Sequence, residues 1–133
     1  MRRVQVDERL RQRLMDGARV VVPEEGCGLL LGSGHYVADV VQLVNNASEP
    51  ASRYALDPLA YLRAERAAEA RGLSVVGIWH SHPHSAAVPS ETDRETAWPG
   101  WLYMIVGHPA DPRCEVRAWR LTGPAFAEEE LVE

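Results

Sequence analysis

The sequence predicts a protein of the mixed α+β (α/β) class, folded as one domain over residues 1–133. Two segments, 7–19 and 57–70, have the apolar spacing and the end signals of helices. Short apolar runs lie on either side of the second segment, as strands would. An apolar fraction of 46% in 133 residues is enough for a packed core, and no internal repeat or low-complexity linker divides the chain.

Both predicted helices have recognisable ends. Asp7 is a candidate N-cap for the first helix. An apolar stripe follows at helical spacing between arginines, formed by Leu10, Leu14 and Ala18. The second helix begins with an N-cap and first-turn pair, Asp57 and Pro58, continues through an alanine-rich stretch, and ends before Gly72.

Five apolar or alternating runs predict strands. They are residues 27–32, 36–44, 73–79, 101–106 and 115–121. The Gly32-Ser-Gly34 sequence between the first two runs predicts a hairpin turn. Residues 45–53 contain Asn, Ser, Glu and Pro without periodicity, which predicts a loop long enough to border a site. We expect the acidic tail, residues 128–133, to fray.

The composition narrows the class of function. A formal net charge of −5 argues against a protein that coats nucleic acid, because phosphate binding requires a concentrated basic face. No run approaches ~18 apolar residues, and the first residues lack the apolar stretch of a signal peptide, so we expect a cytoplasmic protein without a membrane partner. Cys27 and Cys114 are too few and too far apart for a disulfide framework, and we expect reduced thiols.

Two histidines and an aspartate have the spacing of a metal site. His80 and His82 follow the strand predicted for 73–79, and an i, i+2 pair on an extended chain points to one face. After a loop, Ser90 has the position of a helix N-cap with Asp93 near the third helical position, so a carboxylate can return to the imidazoles. Two imidazoles and one carboxylate are a typical ligand set for catalytic Zn²⁺, with water as the fourth ligand.

Hydrolysis by a metal-activated water also requires a general base. Glu24 and Glu25 precede the strand predicted to begin at Cys27, and that strand can bring either carboxylate beside the histidines. Spacing alone does not choose between them. Each pattern is common by itself, since Ser-x-x-Asp is usually a capping box and His-x-His is often a polar strand end.

Together, these patterns resemble the motif of the JAMM (MPN-plus, Mov34/PAD1-like) zinc metallopeptidase family, in its small prokaryotic form. The motif runs as His80-Ser-His82-Pro83, then seven residues between His82 and Ser90, then Asp93. Pro23-Glu-Glu25-Gly-Cys27-Gly is similar to the family's Pro-x-Glu-x-Cys-Gly segment. The resemblance implies the family's curved mixed β-sheet flanked by helices, the MPN/JAMM architecture related to cytidine deaminases, with the site at the end of central strands.

The resemblance also implies roles for the site residues. His80, His82 and Asp93 would ligate one Zn²⁺ per chain, with a bound water as the fourth ligand. Glu25, rather than Glu24, would be the general acid/base, and Ser90 would donate a hydrogen bond to the tetrahedral oxyanion.

The implied activity is hydrolysis of an amide or peptide bond at the C-terminal tail of a ubiquitin-like or sulfur-carrier protein. Such tails end in Gly-Gly and fit extended grooves. The alternative is a catalytically inactive scaffold of the MPN type, and the intact ligand set argues against it. A zinc deaminase is disfavoured because no His-x-Glu with Pro-Cys-x-x-Cys occurs, and the His-Glu-x-x-His motif is also missing.

Overall fold

A computed structural model describes all residues from Met1 to Glu133. The helices are α1 (Glu8–Arg19), α2 (Pro58–Ala70) and α3 (Glu91–Thr96). The strands are β1 (Arg3–Val6), β2 (Cys27–Ser33), β3 (Tyr36–Leu43), β4 (Ser74–His82), β5 (Leu102–Gly107), β6 (Glu115–Thr122) and β7 (Ala125–Val132). The chain thus combines helices with a sheet, as the sequence predicts. No helix has both the length and the apolar character needed to cross a membrane.

The seven strands form one closed sheet in the order β1-β3-β2-β4-β5-β6-β7. The pairs β1–β3, β1–β7 and β4–β5 are parallel, and the other pairs are antiparallel. The sheet is therefore mixed, as the resemblance implies. In addition, it closes into a barrel. Closure depends on β1, because this short strand pairs with β3 on one side and β7 on the other.

Helix α1 packs against the main core on the inner face of the sheet. The Asp7 side chain caps the helix by accepting a hydrogen bond from the Arg9 N–H at 2.7 Å. Its apolar stripe is buried, as the periodicity predicts: Leu10, Leu14 and Ala18. This stripe packs with side chains from β1 to β6, among them Trp79 and Met104. Full burial of one such leucine contributes about 2 kcal/mol.

Helix α2 covers the outer face of the sheet. The Asp57 carboxylate accepts a hydrogen bond from the Ala60 N–H at 2.9 Å and fixes the start of the helix. Leu29 and Leu31 of β2 belong to the cluster under α2, whereas Leu30 belongs to the inner core. Both faces of β2 are therefore buried, which explains its continuous apolar run.

The expectation that residues 128–133 fray is wrong for 128–132, which belong to β7. This strand pairs with β6 and with β1. Its acidic side chains are neutralised by arginines of β6: Arg117 lies 2.8 Å from Glu128, and Arg120 lies 2.7 Å from Glu129. Cross-strand ion pairs thus stabilise a segment whose charge suggested a solvated tail.

The buried ion pair of Glu129 predicts a large cost for its removal. We expect Glu129→Ala to lower the free energy of unfolding by roughly 3 kcal/mol, because Arg120 is left buried without its carboxylate. Glu130→Ala is the matched control, since Glu130 is exposed and 3.9 Å from Arg3, and we expect a change below about 1 kcal/mol. Urea denaturation followed by circular dichroism measures both, and equal effects would contradict the prediction.

Candidate active site

Strand β4 carries both histidines of the candidate site. The strand continues through His82, whereas the sequence pattern indicates an end at Trp79. His80 is 1% exposed and His82 is 7% exposed. Between them, the Ser81 hydroxyl oxygen accepts a hydrogen bond from the Gly26 N–H at 2.7 Å, which ties this strand to the segment before β2.

The short helix α3 returns Asp93 to the two histidines. Ser90 and Asp93 form a capping box: the Ser90 Oγ accepts from the Asp93 N–H at 3.0 Å, and Asp93 Oδ2 accepts from the Ser90 N–H at 2.9 Å. The same carboxylate oxygen lies 3.1 Å from His80 Nε2 and 3.0 Å from His82 Nε2. One ligand atom from each of the three residues lies within 4.8 Å of the others.

The chemistry of these atoms fits a cation at their centre. His82 Nδ1 lies 2.9 Å from the Ala86 carbonyl oxygen, so the ring donates there and its neutral form carries the lone pair on Nε2. That lone pair faces the carboxylate oxygen. His80 Nε2 also approaches this oxygen, but without the orientation of a hydrogen bond. Three electron-pair donors around one point match a divalent ion, whose tetrahedral ligands at bond lengths near 2.1 Å stand about 3.4 Å apart.

The pKa values in the cluster reflect this crowding. Burial lowers the pKa of His80 below its ordinary value. Burial also acts to lower the pKa of His82. At this residue, however, Asp93 and the Ala86 carbonyl outweigh the effect of burial, and the pKa of His82 is raised. Burial alone would raise the pKa of Asp93, yet the two imidazoles beside it and the hydrogen bond from the Ser90 N–H hold this pKa well below its usual range.

The structure places Glu25, not Glu24, beside the cluster. Cys27 pairs with His80 in the antiparallel β2–β4 ladder, and two residues further back this register brings Glu25 next to His82. Glu25 is 7% exposed, whereas Glu24 is exposed. Burial raises the pKa of Glu25 to about 7; His82 lowers it, and Asp93 adds a smaller increase.

A cavity of about 260 Å³ opens over these groups. Its lining residues are Glu25, Ala51, Ser52, His82, Pro83, His84, Ser85 and Ser90. Loop 45–53 therefore borders the site, as the sequence predicts. Ser90 is exposed to this cavity, and its Oγ is held by the Asp93 N–H, so the hydroxyl proton is free to donate.

Other polar residues near the site have different surroundings. Burial raises the pKa of the Cys27 thiol to about 12, and its Sγ lies 3.7 Å from the Leu43 carbonyl, so Cys27 packs as a small neutral residue rather than a nucleophile. His35, His84 and His108 lie outside the ligand cluster. The sequence patterns did not single out Tyr54, whose ring stacks on His80, because an isolated tyrosine in a loop carries no periodic signal.

Comparisons with known proteins identify the family of this chain. A buried His–His–Asp cluster beside a buried carboxylate is typical of a metal-dependent hydrolase. The sequence matches the family described as prokaryotic homologs of the JAB domain over residues 7–122. It is 40% identical over 116 residues to a desampylase of Haloferax volcanii, with 85% of this chain and 81% of that protein covered. It is 34% identical over 109 residues to a CysO-cysteine peptidase of Mycobacterium tuberculosis, with 80% and 75% covered.

Solved structures show the same fold. A protein from Desulfitobacterium hafniense superposes with a TM-score of 0.87 at 27% identity, over 97% of this chain and 91% of that chain. A structure described as JAMM, a metalloprotease-like zinc site in the proteasome and signalosome, superposes with a TM-score of 0.59 at 23% identity, over 100% and 99% of the two chains.

The chain belongs to the family of prokaryotic homologs of the JAB domain, and it is an enzyme of the metallopeptidase class.

The cluster predicts a metal content that depends on each ligand. We expect His80→Ala to lose bound metal after reconstitution with zinc and desalting, because two ligands hold an ion much less tightly than three. His84→Ala is the matched control, since His84 lines the same cavity but lies outside the cluster, and it should retain the wild-type content. Elemental mass spectrometry gives the metal per chain, and retention by a folded His80→Ala variant would contradict the assignment.

Proposed function

We propose that this chain, acting as one domain over residues 1–133, is a zinc-dependent peptidase or isopeptidase. It hydrolyses an amide or peptide bond at the C-terminal tail of a ubiquitin-like or sulfur-carrier protein that ends in Gly-Gly. The observation that carries the proposal is the position of buried Glu25 beside three convergent ligand atoms, which belong to His80, His82 and Asp93. The two free cysteines support a cytoplasmic location.

The proposed mechanism divides the work among five side chains. His80, His82 and Asp93 would hold one zinc ion. An ion bound there would act as a Lewis acid, which lowers the pKa of a water ligand and polarises the scissile carbonyl. Glu25 accepts the proton of the attacking water and passes it to the leaving amine; its burial, which raises its pKa in the metal-free protein, favours the proton-carrying form. Ser90 donates a hydrogen bond from its free hydroxyl to the oxyanion that develops on the carbonyl oxygen.

The lining of the cavity supports a glycine-rich tail as substrate. Only one of its eight lining residues is hydrophobic, so it offers hydrogen-bonding groups rather than a pocket for a large apolar side chain. A Gly-Gly segment presents mainly backbone amides and carbonyls to such a surface. The names of three relatives support the same class of substrate: a desampylase, a CysO-cysteine peptidase, and a probable TtuB-protein conjugate cleaving protease of Thermus thermophilus.

The role of Glu25 can be tested against its sequence neighbour. We expect Glu25→Gln to reduce kcat by a factor of about 10²–10⁴, because the amide keeps the shape of the side chain but accepts no proton. Glu24→Gln should retain wild-type turnover, since Glu24 is exposed. The substrates are a ubiquitin-like protein whose Gly-Gly tail is joined to a lysine side chain, and the same protein extended by a C-terminal cysteine.

Mass spectrometry of the products measures cleavage of each bond and separates isopeptidase from carrier-processing activity. Zinc content is measured in parallel. Full activity of Glu25→Gln with bound zinc would refute the mechanism, and a zinc-loaded wild type that cleaves neither substrate would refute the proposed function.

The role of Ser90 predicts a loss of rate without a loss of metal. We expect Ser90→Ala to lower kcat about 10²–10³-fold, the usual effect of removing one oxyanion donor. Zinc should remain bound, because the substitution keeps all three ligands and also keeps the Ser90 N–H that donates to Asp93 Oδ2. Ser85→Ala is the control, since Ser85 lines the same cavity and its side chain is not part of the proposed machinery. Equal rates for the two variants would exclude Ser90 from the reaction.

A further inference from the structure

The two histidines of the cluster are held in different ways. The ring of His82 is fixed by the hydrogen bond from Nδ1 to the Ala86 carbonyl, at 2.9 Å. His80 is more deeply buried, yet neither Nδ1 nor Nε2 has a hydrogen-bond partner. A metal-ligating histidine usually donates its second ring N–H to an acceptor, which fixes the plane of the ring. The structure provides no such acceptor for His80, so another contact must set its orientation.

Tyr54 makes that contact. Its ring lies 4.6 Å from the His80 ring, centroid to centroid, with an angle of 22° between the planes. Near-parallel rings at this distance form a favourable stacked pair, and the flat face of the tyrosine limits rotation of the imidazole about its own axis. His82 meets the His80 ring differently, at 5.2 Å and a tilt of 57°.

The segment that carries Tyr54 is itself tied to the site. The Asn45 side-chain amide donates to the carbonyl oxygens of Glu25 at 3.0 Å and of Arg53 at 2.9 Å. Its oxygen accepts from the Ala55 N–H at 3.2 Å. Asn45 therefore binds the residues on both sides of Tyr54, and it also binds the backbone of the proposed base. This network fixes the position of the tyrosine ring relative to the strand that carries the histidines.

We infer that Tyr54 is a positioning residue for the metal site: its stacked ring sets the plane of His80 and directs Nε2 toward the point shared with His82 and Asp93. The inference rests on the proposed zinc-binding role of the cluster. Without the planar face, the His80 ring is free to rotate, and the bound ion loses a pre-oriented ligand. The affinity for metal then falls, although all three ligands remain.

The test compares substitutions that keep or remove the aromatic face. Tyr54→Phe keeps the ring and should bind zinc as the wild type does. Tyr54→Leu keeps an apolar side chain without a planar face, and we expect its zinc affinity to fall about 10–100-fold, the usual effect of losing a residue that orients a ligand. Tyr61→Leu is the matched control, because Tyr61 lies on α2 and packs against the other apolar cluster.

Zinc affinity is measured by competition with a chromophoric chelator, and the visible absorption of the Co²⁺-substituted protein reports the ligand geometry. The inference predicts a shifted Co²⁺ spectrum for Tyr54→Leu alone. An unchanged affinity and spectrum in a folded Tyr54→Leu variant would overturn it, and so would an equal loss in Tyr54→Phe. Tyr54→Met gives the same comparison if the leucine variant folds poorly, since its flexible side chain fills space without a flat face.

These measurements are independent of substrate cleavage. A wild type that binds zinc tightly but cleaves neither substrate contradicts the proposed function, and the affinity series still decides the role of Tyr54. Conversely, an active wild type together with an unaffected Tyr54→Leu variant overturns the role of Tyr54 alone.

Discussion

The antiparallel pairing of β2 with β4 is the constraint on which the candidate site depends. Cys27 lies opposite His80, and the pairing continues one step further, where the Ser81 N–H donates to the Gly26 carbonyl at 3.0 Å and the Gly26 N–H donates to the Ser81 hydroxyl oxygen at 2.7 Å. A slip of one residue would turn every side chain of the strand to the opposite face. This register therefore determines that Glu25, and not its neighbour, lies beside the histidines.

The site itself opposes folding, and the surrounding structure must offset that cost. Glu25 Oε1 and both ring nitrogens of His80 are buried without hydrogen-bond partners, and each such group costs about 1–3 kcal/mol. The closed sheet, the core around α1 and the arginine–glutamate pairs of β6 and β7 supply the opposing stability. A metal bound to the cluster would satisfy His80 Nε2, which the fold leaves unpaired, and would thereby stabilise the folded state.

The parts of the structure that sequence patterns predict are those with local causes. The Asp7 and Asp57 caps, the apolar stripe of α1 and the central strands all follow from residues a few positions apart. The three-residue cluster was also predictable, since a strand fixes the relation of His80 to His82 and a capping box fixes Asp93.

Barrel closure has no local cause. β1 is four residues long, and it pairs with strands about 30 and more than 120 residues away in sequence. The acidic run of β7 suggests a solvated tail when it is considered alone. Only the pairing with β6 shows that Arg120 neutralises Glu129 in a buried position. The positions of Asn45 and Tyr54 depend in the same way on long-range contacts, which no periodicity in residues 45–53 or beyond could reveal.

The two carboxylates of the site show how one fold assigns opposite tasks to the same chemical group. Asp93 lies within 3.1 Å of two imidazoles and accepts a hydrogen bond from a backbone N–H, and these groups outweigh its burial and hold its pKa well below the usual range. Glu25 is buried with one oxygen unpaired, and its pKa rises to about 7. Asp93 is therefore held in its ionised form, while burial favours the protonated form of Glu25. A metal-assisted hydrolysis requires this division, because one carboxylate must keep its electron pair on the metal while the other carries the proton.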